Sequence, residues 1–332
     1  MHRRQFMRLA GLVAGSSIGV SVTAAAAADS GDAVPPGLLD GFLGLPGSKG
    51  VQIDVDDPRH AWQAGHAADA PLFCGSCFKA FVLTTYLQEV EAGRLSESEQ
   101  LPIDDRVRSI GGGVFDHLSG TASARTVLEA MIAHSDNTAT DAAMRRVGVD
   151  TVRAFVAKAK LVKARVPDST RRFFSYLAGY PVGVDMGWAG IEDMAAGKTS
   201  GAPREAINDE QTMVCPAAEF VSYYKRALAG EFFQSKETLI EFKRILAMAD
   251  AIAGAIPADT PAYLKGGSID WAGFHCMATA GQMIVGNTPV TFCLNLNWRD
   301  SEGSEATLVP AYKHAVVDVL SRIKQHILEA PG

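Results

Sequence analysis

Hydrophobic positions along this 332-residue chain change period twice. Val51-Gln52-Ile53-Asp54-Val55 alternates apolar and polar residues, the period of a half-buried strand, and His60 to Gly65 is its candidate hairpin partner. From Phe73 the spacing turns helical, with Phe78, Val82, Leu83 and Tyr86 on one face and an end near Gly93. Residues 96–211 show little strand patterning: Val127–Ile132 reads as a short buried helix, and Thr138–Val147 and Thr151–Val162 as helices parted by Gly148. Between Pro167 and Gln211 runs a Gly/Pro-punctuated segment whose one expected helix lies near Gly190–Ala196; loops of that length inside compact domains are usually functional. Helical spacing returns at Ala217–Leu228 and Lys236–Met248. Three strand-like runs follow at Ala262–Ile269, Phe274–Val285 and Val290–Trp298, with a turn at Gly286-Asn287, and an amphipathic helix at Tyr312–Leu328 closes the chain. Strands at both ends around a helical middle predict an α/β (α+β) layer whose sheet joins the terminal segments, with an all-helical insertion.

Composition adds bounds. The chain is 47% hydrophobic and 20% charged, ordinary for a globular protein, and no apolar run beyond the N-terminus is long enough to cross a bilayer. Residues 1–28 read as a targeting segment: Arg3-Arg4-Gln5-Phe6-Met7-Arg8 precedes a moderately apolar stretch to about Val22, and Ala24–Ala28 supply the small residues for cleavage before Asp29. The Arg-Arg-x-Phe-x-Arg pattern resembles a twin-arginine signal, so a periplasmic enzyme is expected; the competing reading is a short membrane anchor. Cleavage removes three arginines and no acid, leaving 28 basic against 37 acidic residues, a net charge of −9. That balance argues against nucleic-acid binding and against anionic membranes. The remaining 29–332, opened by a Gly/Pro/Ala-rich lead-in, form one expected domain, its α/β part at about 45–75 and 212–332 and its helical insertion at about 76–211. A monomer is expected.

The candidate chemistry lies in three segments in fixed order: Ser76-Cys77-Phe78-Lys79, Ser135-Asp136-Asn137 and Lys265-Gly266-Gly267. A lone S-x-x-K arises by chance roughly once in a chain this long, but the ordered set does not. In S-x-x-K at a helix start, Ser76 and Lys79 lie one turn apart on one face. A desolvated lysine there can take the serine proton, and the helix N-terminus offers N–H groups to a developing oxyanion. Taken singly, Ser76 is an N-cap and Lys79 a solvated surface residue.

The set resembles the active site of penicillin-recognising serine enzymes, the class A β-lactamases and penicillin-binding D,D-peptidases. The resemblance implies the β-lactamase/transpeptidase-like fold, with an antiparallel sheet, terminal helices and a helical domain beside the cleft. It implies Ser76, Lys79, Ser135 and Lys265 as catalytic residues, with Ser135 bridging the two lysines. Asn137 would hold a substrate amide, Asp136 would be a buried acceptor, and Lys265 would attract a substrate carboxylate. The N–H groups of Ser76 and Ser268, beside Gly267, would form the oxyanion hole. No metal or cofactor is implied; the substrate would be a small molecule or a peptidoglycan peptide.

Three departures qualify it. Gly266 stands where the family has a hydroxyl residue, a loss that Ser268 could offset. The glutamate that activates the deacylating water falls near Thr170, where none is present; Asp168 and Glu192 are the candidate substitutes, although Asp168-Ser169 also reads as an Asx or capping turn. Phe274-His275 stands where many relatives place an arginine for the substrate carboxylate; His275 is either a partial substitute or a structural histidine. Acylation machinery is therefore expected, with deacylation open, so a D,D-peptidase, an esterase or a slow-deacylating penicillin binder is the alternative.

Cys74-Gly75-Ser76-Cys77-Phe78 also resembles the nucleophile segment of papain-like cysteine peptidases. Pro71 occupies the place of their oxyanion glutamine, however, and no histidine lies between His134 and His275. A redox Cys-x-x-Cys lacks a surrounding βαβ pattern, and the eight histidines lack metal-ligand spacing. An exported non-catalytic binder is the remaining rival. Five cysteines leave at least one thiol free; Cys215 and Cys293 read as core, while Cys74, Cys77 and Cys276 lie nearer the site, where two could pair.

Overall fold

A computed structural model describes residues 34–58, 61–198 and 201–329. The expected targeting segment, the first residues of the lead-in and His60 of the expected hairpin lie outside the described residues. A short helix α1 (Asp40–Leu43) precedes the hairpin β1 (Ser48–Val55) and β2 (Trp62–His66), and a 3-10 turn (Gly75–Phe78) runs directly into α2 (Lys79–Glu91). The middle of the chain holds β3 (Gln100–Ile103), β4 (Gly120–Ser123), α3 (Ala124–Ala133), α4 (Asn137–Val147), α5 (Val149–Lys158), α6 (Thr170–Leu177) and α7 (Gly187–Ala195). Then come α8 (Ala217–Leu228), α9 (Lys236–Leu246), a second 3-10 turn (Asp250–Gly254), β5 (Ala262–Trp271), β6 (Phe274–Val285), β7 (Thr288–Arg299) and α10 (Glu305–Glu329).

The five-stranded sheet has the order β2-β1-β7-β6-β5 and every pairing is antiparallel, so the first and last strands meet as expected, with Val51 opposite Leu294. Central β7 is buried along nearly its whole length, because helices cover both faces of the sheet. On one face Tyr312 of α10 donates its hydroxyl to Leu294 O (2.8 Å) and packs edge-on against Phe42 of α1. Behind α2, Phe220 of α8 stacks on Phe81.

Helix α2 is buried from Lys79 to Leu87, its polar residues included, and is therefore enclosed by its neighbours. Its polar side chains are satisfied inside: Thr85 donates to Phe81 O, and Tyr223 of α8 shares a 2.6 Å hydrogen bond with Thr84. A rigid, enclosed helix thus holds Lys79 at its first turn.

The middle differs from the sequence reading in two places. β3 and β4 form a small separate hairpin, four residues a strand, too short for an alternation to register. Helix α6 fills part of the expected loop; its sequence signal is a single cap, Ser169 Oγ accepting the Arg172 N–H at 3.0 Å. α10 starts seven residues before the expected Tyr312, because Pro310 interrupts the helical pattern without ending the helix.

Candidate active site

The turn that carries Ser76 is fixed from both sides. Phe73 on its approach accepts from the side-chain amides of Asn295 (3.0 Å) and Asn297 (2.9 Å) on β7, and donates its N–H to Asn297 Oδ1 (2.9 Å). Gly75 adopts the left-handed conformation (φ +51°), and a Cβ there would lie 2.7 Å from Ser268 N. A Cβ on Gly267 would lie 2.0 Å from Cys74 O and 2.8 Å from Ser76 N. Two glycines therefore let β5 touch the turn backbone to backbone, bringing the amides of Ser76 and Ser268 into one neighbourhood. Ser76 itself is partly exposed at the start of the helix.

Lys79, one turn on, is fully buried. Its ammonium donates to Ser135 O (2.7 Å), Ser135 Oγ (3.3 Å) and Asn137 Oδ1 (2.7 Å), so the first and second segments are joined through one side chain. Burial, reinforced by the nearby Lys265 cation, pushes its pKa well below the ordinary lysine range, while Asp136 and Asp141 pull it back up.

Ser135 is held at φ +57°, left-handed for a non-glycine residue, directly before the N-terminus of α4. Asp136 stabilises that bend as the N-cap: Oδ1 accepts from Ala139 N (2.8 Å), and Oδ2 from Val114 N (2.8 Å) and Phe115 N (3.2 Å). The expectation of a buried structural acceptor therefore holds for Asp136. Asn137 gives one amide proton to Ile110 O at 2.5 Å. The loop wrapping this corner contains Gly111, Gly112 and Gly113, all at positive φ; a Cβ on Gly112 would lie 2.2 Å from Asp136 Cα.

Lys265 of β5 is buried beside this corner, and its ammonium donates to Gly266 O (2.8 Å). Burial brings its pKa down to about 8, with the charge of Asp250 among the groups opposing the shift. Ser135, Lys265, Gly266, Gly267 and Ser268 line a cavity of about 570 Å³ that continues past the second 3-10 turn toward α10. The missing hydroxyl at position 266 has a steric counterpart: a Cβ there would lie 2.9 Å from Ala251 Cβ. The methyl group of Ala251 occupies the space.

The other sequence candidates are engaged in contacts of their own. Asp168 is bound to Arg153 (2.8 Å), to Gln211 Nε2 (2.9 Å) and to Arg172 (3.5 Å). Burial acts to raise its pKa, but these partners win and hold it below the usual carboxylate range, which makes it a poor base. Glu192 projects from α7 as an exposed residue. Thr170 is buried at the first position of α6, its hydroxyl donating to Ser109 Oγ at 3.0 Å. His275 is buried, stacked on Trp298, with Nε2 2.6 Å from Asp300, and is the structural histidine of the two readings.

All five cysteines are free and buried. Burial raises the Cys77 thiol to about 12, and its sulfur donates to Lys265 O at 3.2 Å, so the cysteine between Ser76 and Lys79 faces the interior, protonated. Two features escaped the sequence reading. One is the triple-glycine loop, visible only as a run. The other is Asp141, four residues after Asn137, whose carboxylate accepts from Thr170 N (2.7 Å) and Arg171 N (3.0 Å).

An antiparallel sheet closed by its terminal strands, a buried helix starting at Ser-x-x-Lys, and a helical layer contributing Ser-Asp-Asn define a hydrolase fold of the β-lactamase/transpeptidase type. The profile of the β-lactamase enzyme family matches residues 47–269, and the chain belongs to that family. Solved structures share its fold at low identity. They include the TLA-3 extended-spectrum β-lactamase (TM-score 0.68, 13% identity, covering 88% of this chain and 97% of that one) and a β-lactamase from Xanthomonas campestris pv. campestris (0.65, 17%, 87% and 96%). PBP-A is equally similar (0.65, 15%, 87% and 97%). No curated protein matches the chain by sequence. Family and fold together support a hydrolase of the β-lactamase type.

Proposed function

We propose that this protein is an exported serine hydrolase that forms an acyl-enzyme on Ser76, with β-lactam amides as the leading substrate class. The observation that carries the reading is the state of Lys79: a buried amine, depressed by desolvation and by Lys265, one turn from the serine. In its neutral form Lys79 takes the Ser76 proton as the hydroxyl attacks the substrate carbonyl. The oxyanion that develops is met by the N–H groups of Ser76 and Ser268, and Ser135 returns a proton to the leaving nitrogen. Lys265, as a cation in the cavity wall, attracts an anionic group of the substrate, and Asn137 has a second amide proton to offer a substrate carbonyl. The mechanism uses neither metal nor organic cofactor. The twin-arginine pattern at Arg3-Arg4 supports periplasmic delivery, and the expected state is a monomer.

A second reading rests on a specific observation: Thr170 is buried where the deacylating carboxylate is expected, and Asp168 is engaged by two arginines and a glutamine. On that basis the acyl-enzyme formed with a β-lactam is long-lived, and the protein behaves as a slow-deacylating penicillin binder, a D,D-peptidase or an esterase of the penicillin-binding family. A chromogenic cephalosporin assay followed by intact mass separates the two. Multiple turnovers support the first reading and a stable adduct on Ser76 the second. Absence of both colour and adduct removes the β-lactam readings and leaves an esterase or a non-catalytic binder, and retained turnover in Ser76→Ala overturns the acyl-enzyme on Ser76.

A further inference from the structure

We infer that the cavity beside Ser135 and Lys265 holds a second anion subsite at Lys313 of α10, suited to substrates that carry two carboxylates on the leaving-group side. The inference rests on the proposed acyl transfer to Ser76, which puts the leaving group beside Ser135 and Lys265 and so directs it into this cavity. Alternation along β5 turns Lys265 and Gly267 to one face of the sheet and Gly266 and Ser268 to the other. Gly266 pairs with Thr279 and Ser268 with Met277, so these four residues share a face. Tyr312 marks it as the α10 face, because its hydroxyl donates to Thr279 Oγ1 at 3.0 Å. With no side chain at position 266, Ala251 of the second 3-10 turn packs close to the strand, and the cavity wall runs on to Lys313 and Val316.

Lys313 is uncommitted. It is exposed and makes no ion pair or hydrogen bond with another described residue. The residues three and four positions away along α10 are Val309, Pro310, Val316 and Val317, so its own helix offers it no carboxylate. Asp250 is the acid among the lining residues, and its charge acts on Lys265. Two lysines against one carboxylate leave the cavity positive, with one cation at the Ser135 end and the other on α10. A volume of about 570 Å³ has room for a leaving group that reaches both. One carboxylate pairs with Lys265 and the second with Lys313, whose long stem brings its ammonium to the anion.

The test compares two thioesters of N-acetyl-D-alanine, one with mercaptoacetate and one with mercaptosuccinate as the leaving thiol. In each, Ser76 Oγ takes the acyl group, the C–S bond breaks, the thiolate leaves with its carboxylates, and water later frees the serine. In Lys313→Gln, kcat/KM for the mercaptosuccinate ester should fall about tenfold, the low end for a hydrogen bond to a charged group because Lys313 is exposed, with that for the mercaptoacetate ester kept. Lys313→Arg should keep both values. Equal loss on the two esters, no loss on either, or lost preference in Lys313→Arg overturns the subsite. Binding is read without turnover in Ser76→Ala carrying ¹³C-methylated lysines, with the Lys313 signal assigned by its absence in Lys313→Arg. That signal should shift saturably with the mercaptosuccinate ester and less with the mercaptoacetate ester; equal shifts overturn the subsite. If the shift appears but the wild type cleaves neither ester, the acyl transfer falls and the subsite stands. If the wild type cleaves them and no shift appears, the subsite falls and the acyl transfer stands. Absence of both overturns both.

Discussion

A single methyl group on Gly267 should disable acylation while leaving the protein folded. In Gly267→Ala the new Cβ would lie 2.0 Å from Cys74 O and 2.8 Å from Ser76 N, both backbone atoms that cannot rotate away. Ordinary contact begins near 3.4 Å, so turn and strand must separate by about 1.4 Å, and misplacing reacting groups by about 1 Å costs on the order of 100-fold in rate. Neither side yields easily: β5 is held along its length by β6, with Gly267 opposite Ala278, and the turn is anchored through Phe73 by Asn295 and Asn297. The shift falls on the two amides proposed for the oxyanion hole, and loss of one such donor costs about 10²–10³ in rate. Overpacking of this kind costs roughly 1–3 kcal/mol of stability, which a domain with so large a core should survive. The assay is stopped-flow acylation by a fluorescent penicillin, with a thermal melt on the same sample. Gly41→Ala, where an added Cβ meets nothing within 4 Å, is the control. A folded Gly267→Ala that acylates within threefold of wild type would refute the account of the oxyanion hole.

Other consequences are quicker to check. Lys79→Met should cut acylation by about 10²–10⁴, the usual range for a general base, as measured by adduct mass against time. For anionic substrates, binding should weaken as pH rises through about 8, where Lys265 loses its proton and its charge; KM measured from pH 6 to 10 shows it, and a neutral ester should lack the effect. Cys77→Ser keeps a donor toward Lys265 O and should retain labelling on Ser76, whereas loss of labelling in that variant alone would revive the cysteine mechanism. Gly266→Thr should not strengthen binding of anionic substrates by itself, because its Cβ meets Ala251; the pair Gly266→Thr with Ala251→Gly should bind them more tightly than either single variant in a competition assay.

The fold could be read from the hydrophobic pattern because its main elements are long: β5, β6 and β7 are continuous runs of ten to twelve residues, and α8 and α9 carry apolar stripes over twelve and eleven residues. β1, β5, β6 and β7, and helices α8 and α9, fall within a few residues of their expected bounds, and the Gly286-Asn287 turn joins β6 to β7 as expected. The misses are local: the β3–β4 hairpin is too short to show a period, and α6 hides among arginines and a proline.

For the site, the sequence by itself determined which side chains could do chemistry: serine, lysine, serine, asparagine and lysine in three short segments, with a glycine and a threonine where relatives carry functional groups. Residue type and order are local properties, and a motif carries them whole. Only the tertiary structure decided environment, because burial and partners come from segments far apart in sequence. It drew Lys79 onto Ser135 and Asn137, turned Cys77 inward, and tied Asp168 to Arg153 and His275 to Asp300. It also brought Asp141 of α4 against the first turn of α6, at 2.7 Å from Thr170 N, a contact between residues 29 positions apart that no spacing rule announces.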